Sequence, residues 1–184
     1  IFGDMEATLH SFRNLIRKNT RLIVCTHASN LLGTVFPIAG IGALCRENGL
    51  LFVVDAAQSA GILDIDMQQM QIDYLCVAGH KGLYAPMGTG VLLCRGDCPR
   101  PLILGGTGTN SRSMEQPDDL PERLESGTLS LPGILGLSAG VDFVRQKTPD
   151  RIYSHELMLM QKAYRGLNGM RSVMLYTPLP EKGL

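Results

Sequence analysis

The sequence predicts an α/β fold, a three-layer sandwich around a mostly parallel sheet, on three observations. Arg21-Leu-Ile-Val-Cys25, Leu50-Leu-Phe-Val-Val54, Tyr74-Leu-Cys-Val-Ala78 and Gly90-Val-Leu-Leu-Cys94 are short runs, apolar almost throughout. Strands covered on both faces read this way. A helical pattern separates the first two runs, which therefore fit a right-handed βαβ unit. Lastly, the first three runs each stop abruptly at polar residues able to do chemistry.

Taken in order, Leu9, Phe12, Leu15 and Ile16 have helical spacing and predict a short helix over 9–16. The first strand closes at Thr26-His-Ala-Ser-Asn30. Pro37 suits the first turn of a helix. Ile38, Ile41, Leu44 and Cys45 then line one face until Gly49 stops it. The second strand breaks at Asp55, the chain turns over 58–61, and 67–70 can form one helical turn. The third strand ends at Gly79-His-Lys81 and the fourth follows. Glycine, proline and polar residues make 102–132 a long loop, and periodicity predicts helices over 134–146 and 151–167. Val173-Met-Leu-Tyr176 reads as the first strand of a following domain. The predicted organisation is one domain over 1–147, then a linking helix and the beginning of a second domain over 148–184.

Composition narrows the function classes. The 184 residues are 45% hydrophobic and 18% charged, as a globular core requires. Lys plus Arg and Asp plus Glu both number 17, so no nucleic-acid partner is expected. No apolar run approaches the ~20 residues that span a bilayer, so no membrane is expected either. The opening Ile-Phe-Gly-Asp and the close at Thr177-Pro-Leu-Pro suggest an internal piece of a longer protein. Of the five cysteines, Cys25, Cys45, Cys76 and Cys94 lie in apolar segments, without CxxC or zinc-ligand spacing. Reduced thiols in a cytoplasmic protein are the expectation.

The informative fact is where the reactive residues fall. Thr26, His27 and Asn30 follow the first strand, Asp55 and Gln58 the second, His80 and Lys81 the third. Open α/β sheets bind ligands beyond the carboxyl ends of their strands. Asp55 could be a turn former, or a buried carboxylate that needs a cation; a protonated pyridine nitrogen would serve. Lys81 could be a solvated loop lysine, or an amine that attacks a carbonyl such as the aldehyde of pyridoxal phosphate. His80 could be structural or a donor to a phosphate. Gly88-Thr-Gly90 and Gly105-Gly-Thr-Gly108 are glycine-rich turns of low specificity, and no P-loop motif occurs.

Thr26-His-Ala-Ser-Asn30, Val54-Asp-Ala-Ala-Gln-Ser-Ala-Gly61, Ala78-Gly-His-Lys-Gly82 and Glu125-Ser-Gly-Thr-Leu-Ser130 stand in this order along the chain. Together they resemble the class V aminotransferase family of fold-type I pyridoxal-phosphate enzymes, within it the cysteine desulfurases and selenocysteine lyases. The resemblance implies that Lys81 bonds the cofactor aldehyde, Asp55 its ring nitrogen and Gln58 its phenolic oxygen. His80 would contact the phosphate, and Asn30 would lie near the ring. Gly127 and Thr128 would reach the phosphate of a neighbouring subunit, which implies a homodimer. The implied reaction removes sulfur or selenium from L-cysteine or L-selenocysteine, leaves alanine and passes sulfur to an acceptor protein.

One departure is Ala78, where the desulfurases usually place Ser or Thr as a phosphate donor; the loss corresponds to about 1–2 kcal/mol. None of the five cysteines matches the family's sulfur-accepting position. Cys98, in Arg95-Gly-Asp-Cys-Pro-Arg100, lies in an electropositive turn. The competing readings are an aminotransferase of the same fold, a nucleotide- or flavin-binding module without a reactive lysine, and a non-catalytic fragment.

Overall fold

The computed structural model describes residues 4–106, 108 and 112–177. Its centre is a four-stranded sheet of β1 (Leu22–Thr26), β2 (Leu51–Asp55), β3 (Tyr74–Ala78) and β4 (Gly90–Cys94), in that spatial order. β1, β2 and β3 run parallel, while β4 returns antiparallel to β3. The register sets Thr26 beside Asp55 and Asp55 beside Cys76, so these strand ends lie level.

Helix α1 spans Met5–Leu15, four residues earlier than the hydrophobic spacing indicates. The reason is a cap: Asp4 Oδ1 accepts a hydrogen bond from Ala7 N at 2.9 Å and satisfies an otherwise free first-turn donor. Asp4→Ala is expected to cost about 1 kcal/mol, measured as a lower urea midpoint; an unchanged midpoint would show the cap to be idle.

Helix α2 (Ile38–Glu47) begins just after Pro37 and buries Ile38, Ile41, Leu44 and Cys45, the predicted face. Gly49, at φ +63, takes the left-handed turn that follows its end. Gly42 lets α2 sit on the 67–71 turn: a Cβ there would lie 2.0 Å from the Met70 carbonyl oxygen. Ile41, Phe52, Val54 and Ile72 are fully buried, and Leu9, Phe12 and Ile16 of the α1 region pack against that core.

The sheet is covered on one face only among the described residues. Ile23, Cys25, Phe52 and Val54 point to α2 and are buried. On the other face Leu22 is 46% exposed, Val24 62%, Leu51 46% and Leu92 44%. The expectation of cover on both faces is corrected to that extent, because α1 and α2 both serve the same face.

Helix α3 (Leu131–Lys147) starts at Ser130, whose Oγ accepts from Gly133 N, and α4 (Pro149–Asn168) follows after Thr148 at φ 65. Both helices extend a few residues beyond the predicted spans. α3 lies against the 83–86 segment, where the Tyr84 and Phe143 rings meet edge to face at 5.0 Å. Among the described residues of 102–132 the chain is loop as predicted, apart from one 3-10 turn at Glu122–Leu124 and the start of α3; residues 107 and 109–111 lie outside the described residues. Residues 173–176 form no strand here, a correction; an extended segment needs a neighbour to pair its N–H and C=O groups.

Candidate functional site

Three loops meet at the carboxyl ends of β1, β2 and β3. The β1 and β2 loops are joined by side chains: Gln58 Nε2 donates to Asn30 Oδ1 at 2.7 Å. Backbone also joins them, since His27 N donates to the Asp55 carbonyl at 2.8 Å. The β2 and β3 loops touch through glycines. A Cβ on Gly61 would lie 2.2 Å from the Gly82 oxygen, and one on Gly82 would lie 2.3 Å from the Ala60 oxygen. Such closeness is open only to residues without a side chain, and it presses the Lys81 loop onto the segment that carries Asp55 and Gln58.

Asp55 ends β2 on the uncovered face and is exposed, so of the two readings left open by the sequence the structure matches the turn former and not the buried carboxylate. Its Oδ1 accepts from Ala57 N at 2.9 Å, an Asx turn that sharpens the exit from the strand. Its charge is felt on the next strand: burial, and then the Asp55 carboxylate, push the Cys76 thiol up.

Lys81 is half-buried in a tight loop where Gly79 N donates to Thr89 O, Tyr84 N to Lys81 O and Ala85 N to Gly79 O, each at 2.9 Å. No ion pair engages Lys81 among the described residues. His80 is exposed, with no side-chain hydrogen bond among the described residues. Gly127 and Thr128 are exposed, and Gly127 N donates to the Gly106 carbonyl at 2.8 Å. The geometry thus gathers Asn30, Asp55, Gln58 and the Lys81 loop, whereas Gly127 and Thr128 stand in a separate loop of this chain.

His27 was grouped by the sequence with the other polar strand-end residues, but it is only 5% exposed. The signal was available: Ile23, Cys25 and His27 alternate, and the first two face the core. Burial lowers its pKa, and its Nδ1 has no partner among the described residues. A histidine whose folded pKa is depressed binds more protons unfolded, so stability is lost as pH falls below the unfolded value of about 6.5. Urea midpoints from pH 7.5 to 5.5 should therefore drop more in the parent protein than in His27→Gln, by up to about 1.4 kcal/mol per pH unit. Equal drops would show that His27 titrates normally.

Together, the half-buried Lys81 loop, an exposed carboxylate and a paired amide lie at one edge of the sheet of an α/β protein. An amide nitrogen carries two protons, and Gln58 commits one of them to Asn30.

The chain belongs to the family described as Aminotransferase class-V, whose sequence profile matches residues 3–183. A probable cysteine desulfurase of Methanothermobacter thermautotrophicus is 35% identical over 167 residues, 88% of this chain and 42% of its own. The apo structure of a cysteine desulfurase from Thermococcus onnurineus superposes with a TM-score of 0.79 at 34% identity, over 97% of this chain and 46% of that one. The cysteine desulfurase CsdA from Escherichia coli gives a TM-score of 0.79 at 27% identity, over 88% and 42%. The chain spans less than half the length of the curated relatives it matches. These structural neighbours fit the mostly parallel α/β class read from the sequence.

Proposed function

We propose that this chain supplies the cofactor-holding part of a pyridoxal-phosphate-dependent cysteine desulfurase, acting on L-cysteine or L-selenocysteine. The observation that carries the reading is the contact of the Lys81 loop with the Asp55–Gly61 segment through Gly61 and Gly82. It places the amine loop against the carboxylate loop across adjacent parallel strands. Relatives named cysteine desulfurase favour this over an aminotransferase, whose needs the same residues would meet.

The residues present fit the cofactor. The amine of Lys81, engaged in no ion pair among the described residues, suits its aldehyde. The exposed Asp55 carboxylate suits its ring nitrogen, and the second Gln58 amide proton suits its phenolic oxygen. Pyridoxal phosphate, when bound, supplies an electron-withdrawing ring that stabilises negative charge at the substrate Cα. Asp55 would hold the ring nitrogen in its protonated form, because a carboxylate beside a base favours its charged form. Asn30 fixes the Gln58 amide and borders the place where an amino acid enters. The Lys81 amine would serve as the base that moves a proton at the substrate Cα. His80 is a donor for the phosphate, and Ala78 adds no side-chain donor there. Gly127 and Thr128, exposed and away from this cluster, suit the phosphate of a second copy in a homodimer. The reaction would break the substrate Cβ–S bond and pass the sulfur to a thiol as a persulfide, leaving alanine, with an acceptor protein taking the sulfur on.

Borohydride reduction of the protein incubated with pyridoxal phosphate tests the reading. Attachment to Lys81 blocks trypsin there, so a fragment 47–95 should appear uncut and labelled. Cleavage at Lys81 with label elsewhere, or the same adduct in Lys81→Ala, would overturn it. Release of alanine from cysteine, rather than a keto acid, separates desulfuration from amino transfer.

A further inference from the structure

At the opposite end of the sheet lies a pair of thiols that this reading does not use. Cys94 closes β4 and Cys98 follows after a turn of Arg95, Gly96 and Asp97; their sulfurs are in contact at 3.9 Å. Gly96, at φ +94, bends the chain back. The turn is fastened on several sides. Tyr74 Oη donates to the Asp97 carbonyl at 2.9 Å, Arg95 Nη2 pairs with Asp73 Oδ1 at 2.8 Å, and Arg95 Nε donates to the Ile72 carbonyl at 3.0 Å. Both cysteines are free and partly exposed, whereas Cys25 and Cys45 are buried.

We propose that Cys94 and Cys98 form a dithiol site that reacts with a small-molecule disulfide to give an intramolecular disulfide. One cysteine, as its thiolate, attacks the small disulfide; a mixed disulfide forms and one small thiol leaves. The second cysteine gives its proton to solvent and attacks the protein sulfur of that mixed disulfide. The Cys94–Cys98 bond forms, and the second small thiol departs with the bonding pair and takes up a proton. Two protein thiols are oxidised and one small disulfide is reduced to two thiols, so no further oxidant is required.

Geometry makes the second step the favoured one. The sulfurs must close by about 2 Å to reach bonding distance, and the fastened turn keeps them adjacent. Burial, followed by the Cys98 thiol and Cys76, pushes the Cys94 thiol up, which agrees with sulfurs in close contact. Cys25 and Cys45 are pushed up to about 11, mainly by burial, and stay protonated bystanders. Cys94 pairs with Tyr74, at the far end of β3 from Ala78. The site is therefore about 13 Å along the strand from the Lys81 loop, and its oxidation is independent of cofactor capture.

The folded protein is treated with oxidised glutathione at pH 8, then alkylated and digested. Trypsin cuts after Arg95, between the two cysteines, so the disulfide would join peptides 82–95 and 96–112. The expected result is loss of two of the five thiols, this joined pair, and no retained glutathione. In Cys98→Ser, Cys94 should keep glutathione as a stable adduct. Five thiols remaining, glutathione retained by the parent protein at either position, or a link to Cys76 would each overturn the assignment. These readouts on the parent protein do not depend on how the variant folds.

Discussion

On the proposed function, Asp55→Asn is expected to lower alanine release from cysteine by at least about 10²-fold, with the fold intact. Asparagine keeps the acceptor for Ala57 N that Asp55 Oδ1 provides, so the turn leaving β2 survives. What is lost is the charge that, on the proposed function, would keep a ring nitrogen protonated. The residue is exposed at a strand end, so the urea midpoint should move by no more than about 1 kcal/mol. Asp55→Ala should lose activity as fully and some stability besides. Activity within a few-fold of the parent in either variant would remove Asp55 from the chemistry.

Gly82→Ala should damage both stability and cofactor capture, because its new methyl would meet the Ala60 carbonyl oxygen at 2.3 Å. A backbone oxygen cannot rotate aside as a flexible side chain can. The loop bearing Lys81 must then move off the segment bearing Asp55 and Gln58. Overpacking of this kind costs about 1–3 kcal/mol, seen as a lower urea midpoint. The yield of borohydride-trapped Lys81 should fall as well. A variant with both readings unchanged would show that the contact between the loops is dispensable.

Much of this arrangement was legible in the sequence, and the particular residues show why. The four apolar runs became the four strands, and Ile38, Ile41, Leu44 and Cys45 fell inward as their spacing required. Clustering at strand ends followed from parallel β1–β3, which bring successive carboxyl termini to one edge. Burial was less legible. A residue such as Val24 reads as a core residue in any sequence, and only tertiary cover decides whether it becomes one. Asp55 shares that open face and is exposed for the same reason. His27 differed in the opposite sense: it follows the first strand among the residues grouped at the ligand end, but strand parity sent it inside. The Gly61–Gly82 contact could not be read at all, since it joins residues 21 positions apart through backbone alone. The same holds for the two sulfurs near Asp97, whose closeness depends on how a turn is pinned.

The open sheet face has a practical consequence. Leu22, Val24, Leu51 and Leu92 present a water-repelling plane, and β1 and β4 are the edge strands of the sheet among the described residues. Flat apolar edges of this type recruit further strands from neighbouring molecules and seed aggregates. Hydrophobic attraction weakens on cooling. Preparations of the 184-residue polypeptide on its own will therefore keep best when cold and dilute.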